Sequence, residues 1–239
     1  MKATTWKEVW EARRMDPAHG SVLAQLLAAD GFDQSFASLG EETWRQYVLR
    51  TAVKIGIQPD ASVFDVGCGA GAYLYELERQ GCRVAGLDAS PALVRCAERV
   101  MPNGSWIRAD AGELEVEPAC DFVVASGSFH YFPSLEYAGE VLRRMVGKAR
   151  RGVMVLDVPD VALREKAIEE RRRLGGGEAY ERKYDGLAHL YYPRDWFESR
   201  LARLGVARVE IAGQQMDGYA NAAHRFNVFG WFAPGGEDV

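Results

Sequence analysis

Residues 63–77 read VFDVGCGAGAYLYEL, and the fold follows from them. A short apolar run, Val63–Val66, breaks into a turn that carries Gly67, Gly69 and Gly71, and a helical pattern opens near Ala72. Glycines let the backbone turn sharply and approach a ligand with no Cβ in the way. The N-terminus of the following helix adds free N–H groups and a partial positive charge. Such a strand–turn–helix can cradle a pyrophosphate or the carboxylate end of an amino acid. Gly67–Ala72 also satisfies the dinucleotide pattern G-x-G-x-x-G/A, so the turn alone leaves both readings open.

Further along the chain, apolar runs alternate with helical stretches. Val63–Val66, Arg83–Leu87, Ser105–Ile107, Phe122–Ala125 and Val153–Leu156 read as strands. Ala72–Gln80, Pro91–Met101 and Leu135–Ala149 read as the helices between them. This alternation predicts βαβ units and a parallel sheet, and unbroken apolar runs such as FVVA and VMVL suit strands covered on both faces. Before the first strand, residues 1–58 read as helical. One run carries Trp6, Val9, Trp10 and Arg13, another spans Glu41 to Ile55, and a loop-like stretch lies around Asp30 to Gly40. RRRLGGG at 171–177 reads as a charged helix with a solvated arginine face, ending in glycines.

Three acids bear on which ligand the turn holds. Asp65 stands two residues before Gly67, where a carboxylate meets an amino group and repels a pyrophosphate. Asp88 ends the run RVAGLD about 20 residues beyond the turn, the distance at which an acid takes ribose hydroxyls, a feature shared with NAD enzymes. Asp110 follows SWIRAD, where it can accept from an adenine amino group while the Ala111 N–H meets a ring nitrogen. An isolated acid after a strand is usually a turn or cap residue. Three at successive strand ends after one glycine turn favour a nucleoside joined to an amino acid.

On VFDVGCGAGAYL, VAGLDAS, IRADAGEL, CDFVVASGSFHYF and GVMVLDVPD, the sequence resembles the class I (Rossmann-like) S-adenosylmethionine-dependent methyltransferase family over roughly residues 63–160, and more weakly to 239. The resemblance implies a doubly wound, mostly parallel α/β sheet of order 3-2-1-4-5-7-6 with an antiparallel last strand, helices on both faces, and Val206–Ala212 with Arg225–Phe232 as the closing pair. It implies S-adenosyl-L-methionine as cofactor and S-adenosyl-L-homocysteine as product. Asp65, Gly67, Gly69 and Gly71 would hold the methionine part and Asp88 the ribose. Ala89, Asp110 and Ala111 would meet the adenine, and Ser126 would lie near the methyl group.

Methyl transfer from a sulfonium needs an aligned acceptor, a dry site and, for some acceptors, a proton acceptor. His130, Tyr131 and His189 are the candidate catalytic groups, with aromatic packing as the plain alternative for each. An α-rich insertion at about 160–200 supplies candidate substrate contacts in Arg182, Tyr184, Tyr191 and Tyr192, joined by His224, suited to a polar or anionic acceptor. Residues 1–58 would form a lid, with Trp6, Trp10, Trp44 and Tyr47 over the cofactor and Arg13, Arg14 or Arg45 pairing with its carboxylate. Residues 59–239 would form the methyltransferase domain.

Composition narrows the class. A chain of 239 residues, 48% hydrophobic and 26% charged, is ordinary for one α/β domain with insertions. A formal net charge of −5 disfavours a nucleic-acid partner held by bulk electrostatics. No apolar run approaches the roughly 20 residues of a membrane helix, and MKATTWKEVWEARRMDP has no signal-peptide core. Cys68, Cys82, Cys96 and Cys120 show no metal-ligand spacing and read as reduced thiols of a cytoplasmic protein. The expected partner is a small-molecule acceptor, as in secondary metabolism or sugar tailoring, methylated on oxygen or nitrogen. The sequence is silent on oligomeric state. The alternatives are an NAD-dependent oxidoreductase and a non-catalytic S-adenosylmethionine-binding regulatory partner.

Overall fold

The computed structural model describes residues 5–33 and 37–233, so residues 34–36 of the loop expected at Asp30–Gly40 lie outside the described residues. The apolar runs form a seven-stranded sheet: β1 (Ser62–Val66), β2 (Arg83–Asp88), β3 (Ser105–Arg108), β4 (Cys120–Ser126), β5 (Ala149–Pro159), β6 (Arg208–Gly213) and β7 (Arg225–Trp231). Their order is β3-β2-β1-β4-β5-β7-β6. The first five strands are mutually parallel, and β7 runs antiparallel to both β5 and β6. Both the order and the antiparallel closing pair agree with the expectation.

β5 extends past the expected Val153–Leu156 at both ends. Arg150 and Arg151 conceal its exposed start, and Asp157 interrupts its apolar pattern near the end. At Asp157 the backbone takes φ 61, and pairing with β7 shifts register between Val155 and Val158. A non-glycine residue in the left-handed region carries strain and is held there by its surroundings.

The helices follow local sequence signals. α4 (Ala72–Arg79) buries Tyr73, Leu74 and Leu77. α5 (Pro91–Val100) starts at Ser90, whose hydroxyl accepts from Leu93 N, with proline in the first turn. α6 (Leu135–Lys148) is capped by Ser134 in the same way. α3 (Glu41–Ile55) ends at Gly56 in the left-handed conformation. The insertion after β5 holds α7 (Arg164–Leu174) and α8 (Glu178–Tyr184), and α9 (Arg194–Arg203) follows.

The N-terminal region contains α1 (Trp6–Glu11) and also α2 (Val22–Ala29), which the sequence reading did not separate out. Ser21 accepts from Ala24 N at 3.1 Å and caps α2, a signal present in the sequence. Leu23, Leu26 and Leu27 of α2 are buried with residues of α3, α4 and α5 in one apolar layer on one face of the sheet. α6 and α9 form the opposite layer. All four cysteines are buried and unpaired. Among the described residues, no helix is long and apolar enough to cross a membrane.

Because α2 packs into this shared layer, Leu26→Ala should lower the stability of the whole molecule by about 2–5 kcal/mol in a single unfolding transition. Urea denaturation followed by circular dichroism measures this. A separate early transition, with the main midpoint unmoved, would show that α2 folds independently of the sheet.

Candidate active site

The carboxyl ends of β1, β2, β4 and β5, together with the turn after β3, open into a cavity of about 780 Å³, within the range typical of ligand sites. One half of its wall is acidic and the other is rich in arginine and aromatic rings.

The acidic half is built on the glycine turn. Gly67 and Gly69 take φ 76 and 57. A Cβ on Gly67 would stand 2.6 Å from Ser128 Cβ, and one on Gly69 would strike the Asp30 carboxylate. Asp30, at the end of α2, accepts from Ala70 N at 2.6 Å and Ala72 N at 3.1 Å, so it caps the open start of α4. Burial, with repulsion from Asp88 added, pushes the Asp30 carboxyl up to about 7, against the pull of its N–H partners and Arg13. Asp88 accepts from Gly69 N at 3.0 Å and Ser90 N at 2.7 Å, and burial raises its pKa too. Asp65 is 1% exposed and its Oδ1 has no hydrogen-bond partner. Burial pushes its carboxyl well above the usual range, and repulsion from Asp30 and Asp88 adds to this. Burial disfavours the ionised form of all three carboxyls, charge repulsion adds to it at Asp30 and Asp65, and a cation placed among them would offset both.

Asp110 accepts from Gly112 N at 3.0 Å and from the Tyr137 hydroxyl, so it closes a turn at the cavity edge. Ala89, Ala111 and Ser126 also line the cavity.

The other half centres on two buried arginines. Arg225 at the start of β7 pairs with Asp157 Oδ2 at 2.5 Å. Asp157 also accepts from Tyr219 Oη at 3.1 Å and Gln214 Nε2 at 3.1 Å. Asn227 accepts from Asp157 N at 2.9 Å and donates to Gln214 Oε1 at 2.9 Å, which closes the network. Arg171 on α7 is 5% exposed. It meets His189 Nδ1 at 2.5 Å and donates to Tyr191 Oη. Burial, then the arginines nearby, pushes both His130 and His189 well below the usual histidine range, so both rings are neutral at pH 7.

The rings around this half come from three parts of the chain. Trp6 stacks on His189 with centroids 4.8 Å apart, packs against Tyr131 at 4.7 Å, and donates from Nε1 to Ala188 O at 2.9 Å. Trp10 packs on Tyr131 at 5.1 Å.

The fold therefore gathers most of the residues singled out in the sequence. Asp65, Gly67, Gly69, Asp88, Ala89, Asp110, Ala111, Ser126, His130, Tyr131, Tyr184, His189 and Tyr191 all face the cavity, as do Trp6, Trp10, Arg13 and Trp44. Gly71 does not; at φ 90 it turns the chain into α4. Three substrate candidates lie outside the lining. Tyr192 is fully buried, with its hydroxyl on Phe129 O at 2.8 Å. Arg182 is on the outer side of α8, paired with Glu178 at 3.2 Å. His224 ends a short turn before β7. Tyr47 is buried beneath the cavity against Asn227. Arg14 bonds carbonyls of its own segment, and Arg45 is tied to Glu41. Arg13 is held by Asp33 at 2.7 Å.

Sequence reasoning missed Asp30, Asp157, Arg171 and Arg225. Asp157 carries the same signal as Asp65 and Asp88, an acid at the end of an apolar strand. Arg171 was read as part of a solvated face, but it shares the buried side of α7 with Ala167, four residues earlier. For Asp30 and Arg225 the partners are too distant in sequence to be read locally.

Residues 63–152 match a family model described as a methyltransferase domain. Over 142 residues the chain is 30% identical to trans-aconitate 2-methyltransferase of Escherichia coli O157:H7 (strain EC4115 / EHEC), covering 53% of this chain and 54% of that protein. The chain thus spans about half the length of the curated relatives it matches. Two solved structures share the fold. Magnesium protoporphyrin IX methyltransferase of Synechocystis PCC 6803 with bound S-adenosylmethionine has TM-score 0.55 and 16% identity, covering 80% of this chain and 81% of that one. The N-methyltransferase NodS of Bradyrhizobium japonicum WM9, in complex with S-adenosylhomocysteine, has TM-score 0.58 and 15% identity, covering 95% of each chain. Residues 63–152 thus match a methyltransferase domain, set in a sheet of the order expected from the resemblance to the class I, S-adenosylmethionine-dependent family.

Proposed function

We propose that this chain transfers the methyl group of S-adenosylmethionine directly to an oxygen or nitrogen of a polar or anionic small molecule. The observation that carries the reading is the partnerless, buried Oδ1 of Asp65, set beside two further carboxylates at a glycine turn. That arrangement fits a ligand whose end is a cationic amino acid. It does not fit a pyrophosphate, because Asp30 already takes the Ala70 and Ala72 N–H groups that a pyrophosphate would need.

In this reading Asp65, Gly67 and Gly69 hold the methionine part, with Gly71 shaping the turn. Asp88 holds the ribose, Ala89, Asp110 and Ala111 the adenine, and Ser126 borders the methyl group. The cofactor supplies a carbon already activated for displacement by its sulfonium. The protein's own task is to align the acceptor and exclude water. Residues 1–58 act as a lid, and the insertion at 160–200 closes the acceptor side with Tyr184 and Tyr191. Neutral His130 is the proton acceptor for an acceptor that needs one, with Tyr131 and His189 fixing its surroundings. The names of the relatives, trans-aconitate and magnesium protoporphyrin IX methyltransferases, support a small acceptor.

Calorimetric binding of S-adenosylhomocysteine, followed by a labelled-methyl screen against small acceptors, tests the reading. A folded protein that gives no heat with either the cofactor or its product overturns it. Asp88→Ala should weaken cofactor affinity by about 1–3 kcal/mol, roughly five- to 150-fold.

A pH dependence follows from Asp30. Its folded pKa, about 7, lies above the unfolded value. The folded protein therefore holds a proton that the unfolded chain releases, and stability falls as pH rises from about 4 through 7. A cationic ligand favours the ionised form, so affinity for S-adenosylhomocysteine should rise between pH 6 and 8. Asp30→Asn should flatten that rise, as read by calorimetry at several pH values.

His130→Ala should slow turnover about 100-fold if His130 takes a proton. Because its pKa is depressed, the acid limb of the kcat profile should then lie below pH 6.5. An unchanged kcat assigns His130 to packing.

A further inference from the structure

We infer that the acceptor carries a carboxylate, bound by Arg171 together with His189 and Tyr191; the inference rests on the methyl-transfer reading and names the substrate class of that site. The argument begins with charge. Arg225 is neutralised by Asp157. Arg171 is as deeply buried, yet among the described residues no carboxylate lies within ion-pair distance of it. Its partners are Ala167 O, His189 Nδ1 and Tyr191 Oη, all uncharged. A buried charge without a counter-charge is costly, and proteins keep one where a ligand completes the pair.

Donor geometry points the same way. A guanidinium has five N–H donors and cannot accept. Nε bonds Ala167 O at 3.2 Å, one Nη1 hydrogen goes to His189 and one Nη2 hydrogen to Tyr191. Each terminal nitrogen keeps one N–H in reserve. Since Arg171 only donates, His189 Nδ1 accepts, and the neutral ring carries its proton on Nε2. That Nε2 is buried with no partner. Tyr191 accepts from Arg171 and keeps its own O–H to give. The three residues line the cavity, and their spare hydrogens are all donors around one net positive charge. A carboxylate, with two acceptor oxygens and one negative charge, satisfies both. A phosphate dianion would leave an unbalanced charge in the same wall.

The wall of rings from Trp6, Tyr131 and Tyr184 sets the comparison probes. The protein is saturated with S-adenosylhomocysteine and titrated by calorimetry with acetate, succinate and phenylacetate, with neutral phenylacetamide and with inorganic phosphate. At least one carboxylate should bind, and phenylacetamide should bind at least tenfold more weakly than phenylacetate. Arg171→Gln should lose carboxylate binding tenfold or more with unchanged affinity for S-adenosylhomocysteine, and Arg171→Lys should recover part of it. Wild-type protein that binds none of the carboxylates, or binds acid and amide alike, overturns the inference without needing any variant to fold. Phosphate binding more tightly than every carboxylate, or Arg171→Gln binding carboxylate as wild type does, overturns it as well. If S-adenosylhomocysteine itself fails to bind, the methyl-transfer reading falls, and that result is distinct from those above.

Discussion

The arrangement of this molecule depends on how closely three segments meet at the glycine turn. Gly67 lies under Ser128 of the loop after β4, and Gly69 lies under Asp30 from the N-terminal helices. Ser128 in turn donates to Val66 O at 2.9 Å, and Asp30 bonds two N–H groups of the turn. A side chain at either glycine would push a wall of the site outward, and the positive φ values already exclude ordinary residues. The turn thus joins the sheet, the first βα unit and the N-terminal region at one point. The cavity wall is assembled from all three because they cannot separate there.

Around that point the cavity is electrically polarised. Asp30, Asp65 and Asp88 cluster on one side, while Arg171 and Arg225 occupy the other. Burial, with the Asp88 charge added, raises the Asp30 and Asp65 carboxyls, and burial, then the arginines, keeps His130 and His189 neutral. In the proposed reaction, such a gradient would orient a cationic donor and an anionic acceptor toward each other. In a site with water excluded, fixed charges act more strongly than they would in solution.

Much of this was legible in the sequence, for identifiable reasons. The strands on the sheet's interior are apolar on both faces, so VFDV, FVVA and VMVL announced themselves. Asp65, Asp88 and Asp110 stand at strand ends beside a glycine turn, a purely local pattern. Helix α2 was missed because it is short and its leucines are buried in a layer shared with α3, α4 and α5. Arg171 and Arg225 were missed because burial of a cation is decided by tertiary partners, and a run of arginines reads locally as solvated. Tyr191 and Tyr192 were indistinguishable in sequence. One faces the cavity and the other is locked beneath it by Phe129 O, a difference that only the path of the chain fixes.

α1 roofs part of the cavity. It buries no residue fully, yet its tryptophans rest on His189 and Tyr131, and Trp6 bonds the backbone of the insertion. A segment held by edge contacts and by two long-range side-chain bonds, Trp6 Nε1 to Ala188 O and Ser90 Oγ to Trp10 O, opens more cheaply than the sheet behind it. For the proposed methyl transfer, the lifting of this one short helix would open the way out for spent cofactor and modified product, and the pace of turnover would then be set by that roof instead of by bond exchange beneath it.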